Sequence, residues 1–194
     1  PPAAPFMMNQ SELLPIKRAI EAILLQKQPV VVAVDGPSGS GKSTLTKALV
    51  QEIGAVRIDQ DDFYRGGKYD LLAAMSDEER AEYEIDWQRM KDEALLPLLA
   101  ARAAHYHPFD WNYQEETNVS TNTITLQPAN VIIIDGVFSS RKELTDLVDL
   151  SVLVHLDRST RKERLAQREG DGVTHPLNAL WDKAETYYFE HIRQ

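Results

Sequence analysis

A glycine-rich segment contains the residues with the most specific chemistry in this sequence. It reads Gly36-Pro37-Ser38-Gly39-Ser40-Gly41-Lys42-Ser43 and fits the pattern G-x-x-x-x-G-K-[ST]. In this pattern the glycines let backbone N–H groups approach phosphate oxygens, and the helix that follows points its positive end at them. We predict that a nucleotide binds here, with Lys42 paired to the β and γ phosphates and Ser43 bound to Mg²⁺. The predicted phosphate-binding residues are Gly36, Ser38, Gly39, Ser40, Gly41, Lys42, Ser43 and Thr44.

The elements that must position this loop are visible on both sides of it. Val30 to Val34 is a β-branched run without polar alternation, as expected of a strand covered on both faces. Residues 42–53 return to a helical period. These flanks favour a phosphate loop over two alternatives. One is a flexible glycine turn that binds no ligand, and the other is a nucleotide site that does not hydrolyse its nucleotide.

A second buried strand, Val131 to Ile134, ends in Asp135. Ligands in parallel sheets bind at the carboxyl ends of the strands. We therefore predict that Asp135 holds Mg²⁺ directly or through water, beside Ser43. An ordinary Asp-Gly turn after a strand is the alternative interpretation.

Strands and helices alternate along the rest of the chain. Further strands are predicted at 55–59, 121–126 and 150–156, and capping-box patterns at Ser76 and Ser140 predict helix starts. This alternation predicts a three-layer α/β/α sandwich with a mainly parallel five-stranded sheet. We expect a flexible tail at residues 1–10, with the natural start at the adjacent Met7 and Met8, and a single domain at 11–194.

Composition excludes several classes of function. The 194 residues include 30 acidic and 21 basic side chains, a net charge of −9, which disfavours binding to a nucleic-acid backbone. The chain has no cysteine, so disulfides, thiolate metal sites and cysteine nucleophiles are excluded. The aliphatic runs are shorter than the roughly 20 residues that span a bilayer. We expect a cytoplasmic protein without nucleic-acid or membrane partners, and homo-oligomer formation is left open.

An acidic segment follows the second predicted strand and reads Asp59-Gln60-Asp61-Asp62-Phe63-Tyr64. Together with residues 34–44, it resembles the uridine kinase, nicotinamide riboside kinase and phosphoribulokinase family of P-loop small-molecule kinases. The resemblance implies the P-loop, nucleoside kinase-like fold. It also implies that Asp61 is the catalytic base facing the acceptor hydroxyl, with Lys42 as the other catalytic residue. Asp59 and Asp62 are competing carboxylates, and a solvated acidic loop is the alternative.

Two further segments extend the resemblance to an acceptor site. Tyr83 to Trp87 resembles the family segment whose aspartate grips sugar hydroxyls, which implies that role for Asp86, although a plain helix cap is equally compatible. The stretch around Phe109 is in register with the family's Tyr-Asp-Phe hairpin, although its rings could equally belong to the core. The histidine by which uridine kinases read the pyrimidine is absent near Gln114, so uridine itself is not implied. The substrate-binding residues that the resemblance implies are Asp61, Tyr64, Asp86, Phe109, Asp110 and Trp111.

Three arginines share one face of a predicted helix at residues 158–169. Arg161, Arg164 and Arg168 are spaced three and four residues apart. This pattern resembles the lid of these kinases, which closes over ATP and neutralises the transferring phosphoryl group, and we place the lid at residues 158–175. A solvated helix that pairs these arginines with its own glutamates is the alternative.

The predicted function is therefore an ATP-dependent phosphotransferase, similar to uridine kinase, that uses Mg²⁺ and ATP. The acceptor is expected to be a hydroxyl group of a small molecule, most simply a nucleoside or a sugar-like metabolite. Two alternatives remain open at this point. One is a kinase for pantothenate or a ketose, and the other is a nucleotide-dependent regulatory switch that binds ATP without a small acceptor.

Overall fold

The strands of the protein form two separate sheets. The computed structural model describes residues 10–111, 119–169 and 176–193. In chain order, the strands in these ranges are β1 (Val30–Asp35), β2 (Val56–Asp59), β3 (Ala104–Tyr106), β4 (Ile124–Leu126), β5 (Val131–Asp135) and β6 (Leu150–Leu153). The main sheet is parallel, in the order β2-β5-β1-β6, and β3 pairs with β4 in an antiparallel ribbon.

Helices connect the strands. They are α1 (Gln10–Leu24), α2 (Lys42–Ile53), α3 (Tyr69–Ala74), α4 (Asp77–Tyr83), α5 (Trp87–Met90), α6 (Leu96–Leu99), α7 (Arg158–Glu169) and α8 (Pro176–Tyr187). Short 3₁₀ turns lie at Gln60–Phe63 and Lys142–Leu144, and π turns at Lys91–Leu95 and Tyr188–Ile192. Within the described ranges, no helix has the length and apolar content that a membrane crossing requires.

Successive residues of β1 face opposite sides of the main sheet, and each side has its own core. Val30, Val32 and Val34 pack with Leu13 and Ile20 of α1 and with Leu45 and Leu49 of α2. Val31 instead packs in the larger cluster on the other side, which includes Phe63, Met90 and Tyr188. Burial of both faces stabilises β1 and β5, which are apolar at every position before their final aspartates. The three-layer α/β/α prediction is thereby confirmed.

The main sheet has four strands in the described residues, so the prediction of five was wrong in number. The strand predicted at 121–126 is not part of the main sheet. Its residues 124–126 form β4, which pairs with β3. Thr125 is exposed between the partly buried Ile124 and Leu126. This alternation is typical of a strand covered on one face, whereas the central strands are buried at every position.

The two capping-box predictions had different outcomes. Ser76 caps α4 with both reciprocal hydrogen bonds to Glu79, as predicted. The Ser140 prediction was wrong, because the Ser140 N–H donates to Asp35 at 3.0 Å and Arg141 holds the Glu143 carboxylate. A 3₁₀ turn without a side-chain cap forms there instead. Of the predicted tail and lid, residues 1–9 and 170–175 lie outside the described residues.

The register of the main sheet brings the carboxyl ends of its strands together. Asp59 of β2 is level with Asp135 of β5, and Asp135 is level with Val34 of β1. The segments that leave these three strands therefore begin at one edge of the sheet. This edge is where ligands bind in parallel sheets.

The contact between Gly136 and Gln60 at this edge leads to a stability prediction. A Cβ at Gly136 would lie 2.4 Å from the Gln60 Cβ, and Gln60 is fully buried. Gly136→Ala should therefore lower the free energy of unfolding by about 1–3 kcal/mol, measured by urea denaturation. Gly54→Ala is the control, because its Cβ meets nothing within 4 Å and only its φ of +66° opposes alanine. An unchanged free energy of unfolding in Gly136→Ala would contradict this account.

Candidate active site

The predicted phosphate loop connects β1 to α2, and its backbone conformation explains its glycines. Gly39 and Gly41 have φ values of +78° and +101°, a region that other residues rarely adopt. Gly41 immediately precedes α2, and its carbonyl accepts from the N–H groups of Thr44 and Leu45. A Cβ at Gly36 would lie 2.3 Å from the Val154 carbonyl oxygen. Larger residues at these positions would therefore distort the loop.

A cleft of about 610 Å³ opens beside this loop. Asp59, Asp61 and Asp135 line one part of it, and Arg164 of α7 lines another. The loop and the start of α2 contribute Ser38, Gly39, Gly41, Lys42, Ser43 and Thr44. The structure therefore brings together the predicted phosphate, base, metal and lid residues from four separate parts of the chain.

Lys42 is one of the residues that line this cleft. Its side chain is buried, and Nζ donates to the Pro37 carbonyl at 3.1 Å. Burial lowers the pKa of Lys42, while the nearby carboxylates of Glu185, Asp135 and Asp61 act in the opposite direction. The hydrogen bond to the Pro37 carbonyl ties the ammonium group to the predicted phosphate loop.

The three aspartates after β2 have different surroundings. The Asp62 carboxylate accepts from the Tyr106 hydroxyl at 2.8 Å and is thereby tied to β3. Asp59 caps the 3₁₀ turn by accepting from the Asp61 N–H at 3.2 Å. Asp61 is open to the cleft, but protein surrounds it on most sides, and this partial desolvation together with the charge of Asp59 raises its pKa to about 6. Asp61 therefore combines a position on the cleft with a raised pKa, and its role as the base stays a prediction.

Arg57 is a residue of this site that sequence reasoning missed. Its Nε and Nη2 lie 2.8 and 2.7 Å from Asp135 Oδ2, and Nη2 is also 2.7 Å from Asp59 Oδ2. Asp135 is 1% exposed, and its Oδ1 is buried without a hydrogen-bond partner. Arginine and aspartate two residues apart on a strand share one face, and this spacing was the available signal.

The residues around Asp135 fit the predicted Mg²⁺. Asp135 Oδ1 is an oxygen without another partner, and Ser43 is exposed at the same cleft. In the described part of the chain, no three His, Asp or Glu side chains form a group that could hold a metal. A Mg²⁺ ion here would thus take most of its ligands from phosphate and water, as Mg²⁺ commonly does.

Glu185 of α8 is a second residue that sequence reasoning missed. Its carboxylate accepts from the Ser38 N–H at 2.9 Å and also from the Ser38 hydroxyl. Burial raises the pKa of Glu185, and the hydrogen bonds from Ser38 act in the opposite direction. These contacts connect the phosphate loop to the last helix of the described chain.

The predicted lid arginines lie in different places. Arg161 is buried, donates to the Ser38 carbonyl at 2.9 Å, and lies 4.0 Å from Glu185. Arg164 lines the cleft beside Gly41. Arg168 is in α7, but its side chain lies outside the described residues. Of the described pair, Arg161 therefore supports the loop and Arg164 faces the nucleotide space.

We expect the Glu185 contacts to matter for nucleotide binding. Glu185→Ala removes both acceptors of Ser38 and the partner of Arg161, so the KM for ATP should rise about tenfold or more. Glu185→Gln keeps one acceptor oxygen and should show a smaller rise. Asp182→Ala on the same helix removes an exposed ion pair with Arg158 and should change KM less than about twofold. Equal KM values for Glu185→Ala and Asp182→Ala would contradict the assignment.

The aromatic residues of the predicted acceptor site form a cluster. The Tyr64 ring stacks on Trp111 at 5.0 Å between centroids and meets Phe109 edge-on at 5.0 Å. Trp181 of α8, which sequence reasoning did not include, donates from Nε1 to the Tyr64 hydroxyl at 3.3 Å. Trp111 is 54% exposed. The structure therefore brings these predicted acceptor residues together, with partly buried Asp110 between Phe109 and Trp111.

Asp86 serves as the cap of α5. Its carboxylate accepts from the Arg89 N–H at 3.1 Å and from the Arg65 guanidinium at 3.3 Å. Like the aromatic residues of the predicted acceptor site, Asp86 is not among the residues that line the phosphate cleft. These contacts are those of a helix cap, and the role of Asp86 in gripping sugar hydroxyls stays a prediction.

A parallel sheet that presents a phosphate loop and strand-end carboxylates to one cleft defines a P-loop nucleotide-binding protein. A family model described as an AAA domain matches residues 31–188. A uridine kinase from Anoxybacillus flavithermus is 31% identical over 152 residues, which are 75% of this chain and 69% of that protein. The chain belongs to the uridine kinase-like family of P-loop kinases. It is an ATP-dependent small-molecule kinase.

Solved structures share this fold. A structure from Silicibacter sp. TM1040, described as a candidate fructose transport system kinase, has a TM-score of 0.68 and 22% identity and covers 93% of this chain and 95% of its own. A structure described as a possible uridine kinase, from Bacillus stearothermophilus, has a TM-score of 0.61 and 20% identity, with coverages of 92% and 94%. At these identities the likeness shows the fold alone.

Proposed function

We propose that this kinase transfers the γ-phosphate of ATP to a hydroxyl group of a nucleoside or sugar-like metabolite, with Asp61 as the base. The observation that carries this proposal is the placement of the Asp61 carboxylate. It lines the same cleft as Lys42 and Asp135, whereas the neighbouring Asp62 is bonded to Tyr106. A base that lines this cleft would meet the hydroxyl of an acceptor that approaches the nucleotide's γ-phosphate there.

The proposed transfer needs one proton acceptor and several positive groups. The acceptor oxygen forms a bond to the γ-phosphorus, the bond from that phosphorus to the bridging oxygen breaks, and ADP leaves. Asp61 takes the proton of the acceptor hydroxyl. Lys42, the loop N–H groups and Arg164 stabilise the charge on the phosphoryl group.

Ser43 and Asp135 are the residues that would hold Mg²⁺. When bound, Mg²⁺ neutralises charge on the β and γ phosphates. Arg161 and Glu185 keep Ser38 in place and so hold the loop in the shape that receives the phosphates.

The acceptor site is proposed beside the aromatic cluster of Tyr64, Phe109, Trp111 and Trp181. Aromatic rings recognise flat apolar surfaces by stacking and edge contacts, which suits the base of a nucleoside. The names of the uridine kinase relatives also support a nucleoside. Pantothenate and a ketose remain the alternative acceptors that the experiment must include.

The decisive experiment measures ADP release from Mg²⁺-ATP with a panel of acceptors. The panel contains nucleosides, nicotinamide riboside, pantothenate and common sugars, each tested with the wild type and Asp61→Asn. We expect one acceptor class to stimulate ADP release in the wild type only. ATP binding without stimulation by any acceptor would contradict the proposal and favour a nucleotide-dependent switch.

The pH dependence of the reaction follows from the environment of Asp61. Because its pKa is raised from 3.8 to about 6, a growing fraction of the base is protonated as the pH falls below that value. The kcat/KM for the acceptor should therefore be level above about pH 7 and should fall about tenfold per unit well below pH 6. A kcat/KM that stays level down to about pH 5 would contradict the raised pKa.

A further inference from the structure

The guanidinium group of Arg57 bridges carboxylates on two neighbouring strands. Asp59 of β2 and Asp135 of β5 lie level in the sheet, and Arg57 precedes Asp59 by two residues on the same strand. Nη2 of Arg57 is 2.7 Å from an oxygen of each carboxylate. The bridge therefore occupies Oδ2 of both aspartates at the edge where the cleft opens.

This bridge determines the charge that a metal would meet. Asp59, Asp61 and Asp135 are carboxylates that line the cleft, and Lys42 is a second cation close to Asp135. Without Arg57, Asp59 and Asp135 would offer two adjacent carboxylates with several oxygens, a donor set that suits a divalent cation. With Arg57 in place, Asp135 Oδ1 remains as a buried oxygen without a partner.

We propose that Arg57 makes this kinase take up its divalent cation together with the nucleotide rather than alone. Its charge neutralises the Asp59–Asp135 pair, so the nucleotide-free cleft binds a divalent cation weakly. Asp135 Oδ1 has no hydrogen-bond partner and would be the oxygen that binds a cation whose other ligands come from phosphates. This inference rests on the proposed function, because it takes Asp135 as the carboxylate that holds Mg²⁺.

The test measures binding of Mn²⁺ alone to the nucleotide-free protein by electron paramagnetic resonance. Arg57→Gln should bind Mn²⁺ at least about tenfold more tightly than the wild type, because a positive charge beside the site is lost. Arg57→Lys keeps the charge and should stay within about threefold of the wild type. Unchanged or weaker Mn²⁺ binding by Arg57→Gln would overturn the proposal.

A double variant covers the case in which Arg57→Gln does not fold. Arg57→Gln combined with Asp59→Asn removes one charge of each sign and should return Mn²⁺ affinity to within about threefold of the wild type. Tight Mn²⁺ binding by this double variant would also overturn the proposal. The measurement uses neither ATP nor an acceptor, so its outcome is independent of the acceptor panel that tests the proposed function.

Discussion

Asp61→Asn should lower kcat/KM for the acceptor by roughly 10²–10⁴-fold, the usual contribution of a positioned general base. Asparagine has nearly the same shape as aspartate but cannot take the proton of the acceptor hydroxyl. Binding of Mg²⁺-ATP should be retained, because Lys42 and the loop are unaltered. The measurements are steady-state kinetics with the stimulating acceptor and equilibrium titration with nucleotide.

The matched control is the adjacent residue. Asp62→Asn keeps an oxygen that can accept from the Tyr106 hydroxyl, and Asp62 is not among the residues lining the cleft, so kcat/KM should change less than about fivefold. If Asp62→Asn lost as much activity as Asp61→Asn, the assignment of the base would be wrong.

Stability provides a second readout for Asp61. Its folded-state pKa of about 6 exceeds the ordinary 3.8, so the fold binds this proton more tightly than the unfolded chain does. Protonation of Asp61 therefore stabilises the folded state as the pH falls through 6. This stabilisation is absent at neutral pH. Asp61→Asn should accordingly raise the Tm at pH 7, while the same substitution at pH 4 should change the Tm less.

The phosphate loop and its flanking elements could be predicted because their determinants are local. Gly39 and Gly41 adopt positive φ angles that favour glycine, and the strand before them is apolar from Val30 to Val34 and buried at every position. The choice between Asp61 and Asp62 could not be predicted in this way. It depends on the hydrogen bond from the Tyr106 hydroxyl to Asp62. Tyr106 lies 44 residues away from Asp62 in the sequence, so no local pattern predicts this bond.

Two of the missed residues, Glu185 and Arg57, show the same limit in different degrees. Glu185 meets Ser38 across 147 residues, and its helix gives no sign that one carboxylate turns toward the phosphate loop. Arg57 could more easily have been found from the sequence, because a charged pair at alternate positions of a strand next to a buried sheet suggests an internal ion pair. Its partner Asp135 could be placed only once the order β2-β5 was known.

The environment of Lys42 gives the second large expected effect. Lys42→Ala should reduce kcat/KM for ATP by roughly 10²–10³-fold, as expected when a buried charged group that stabilises the transferring phosphoryl group is lost. Burial separates Lys42 from water, so solvent cannot replace its charge as it would at an exposed site. The measurement is kcat/KM for ATP at saturating acceptor, with circular dichroism to confirm the fold.

Lys47→Ala is the control for Lys42→Ala, because Lys47 lies on the same helix. It also lines the cleft but is exposed, so water screens its charge and Lys47→Ala should lower kcat/KM less than about fivefold. If both variants lost activity equally, the total positive charge of the cleft would control the rate. A loss confined to Lys42→Ala would mean that one ammonium group acts at one position, since Lys42 is the lysine that the loop holds through the Pro37 carbonyl.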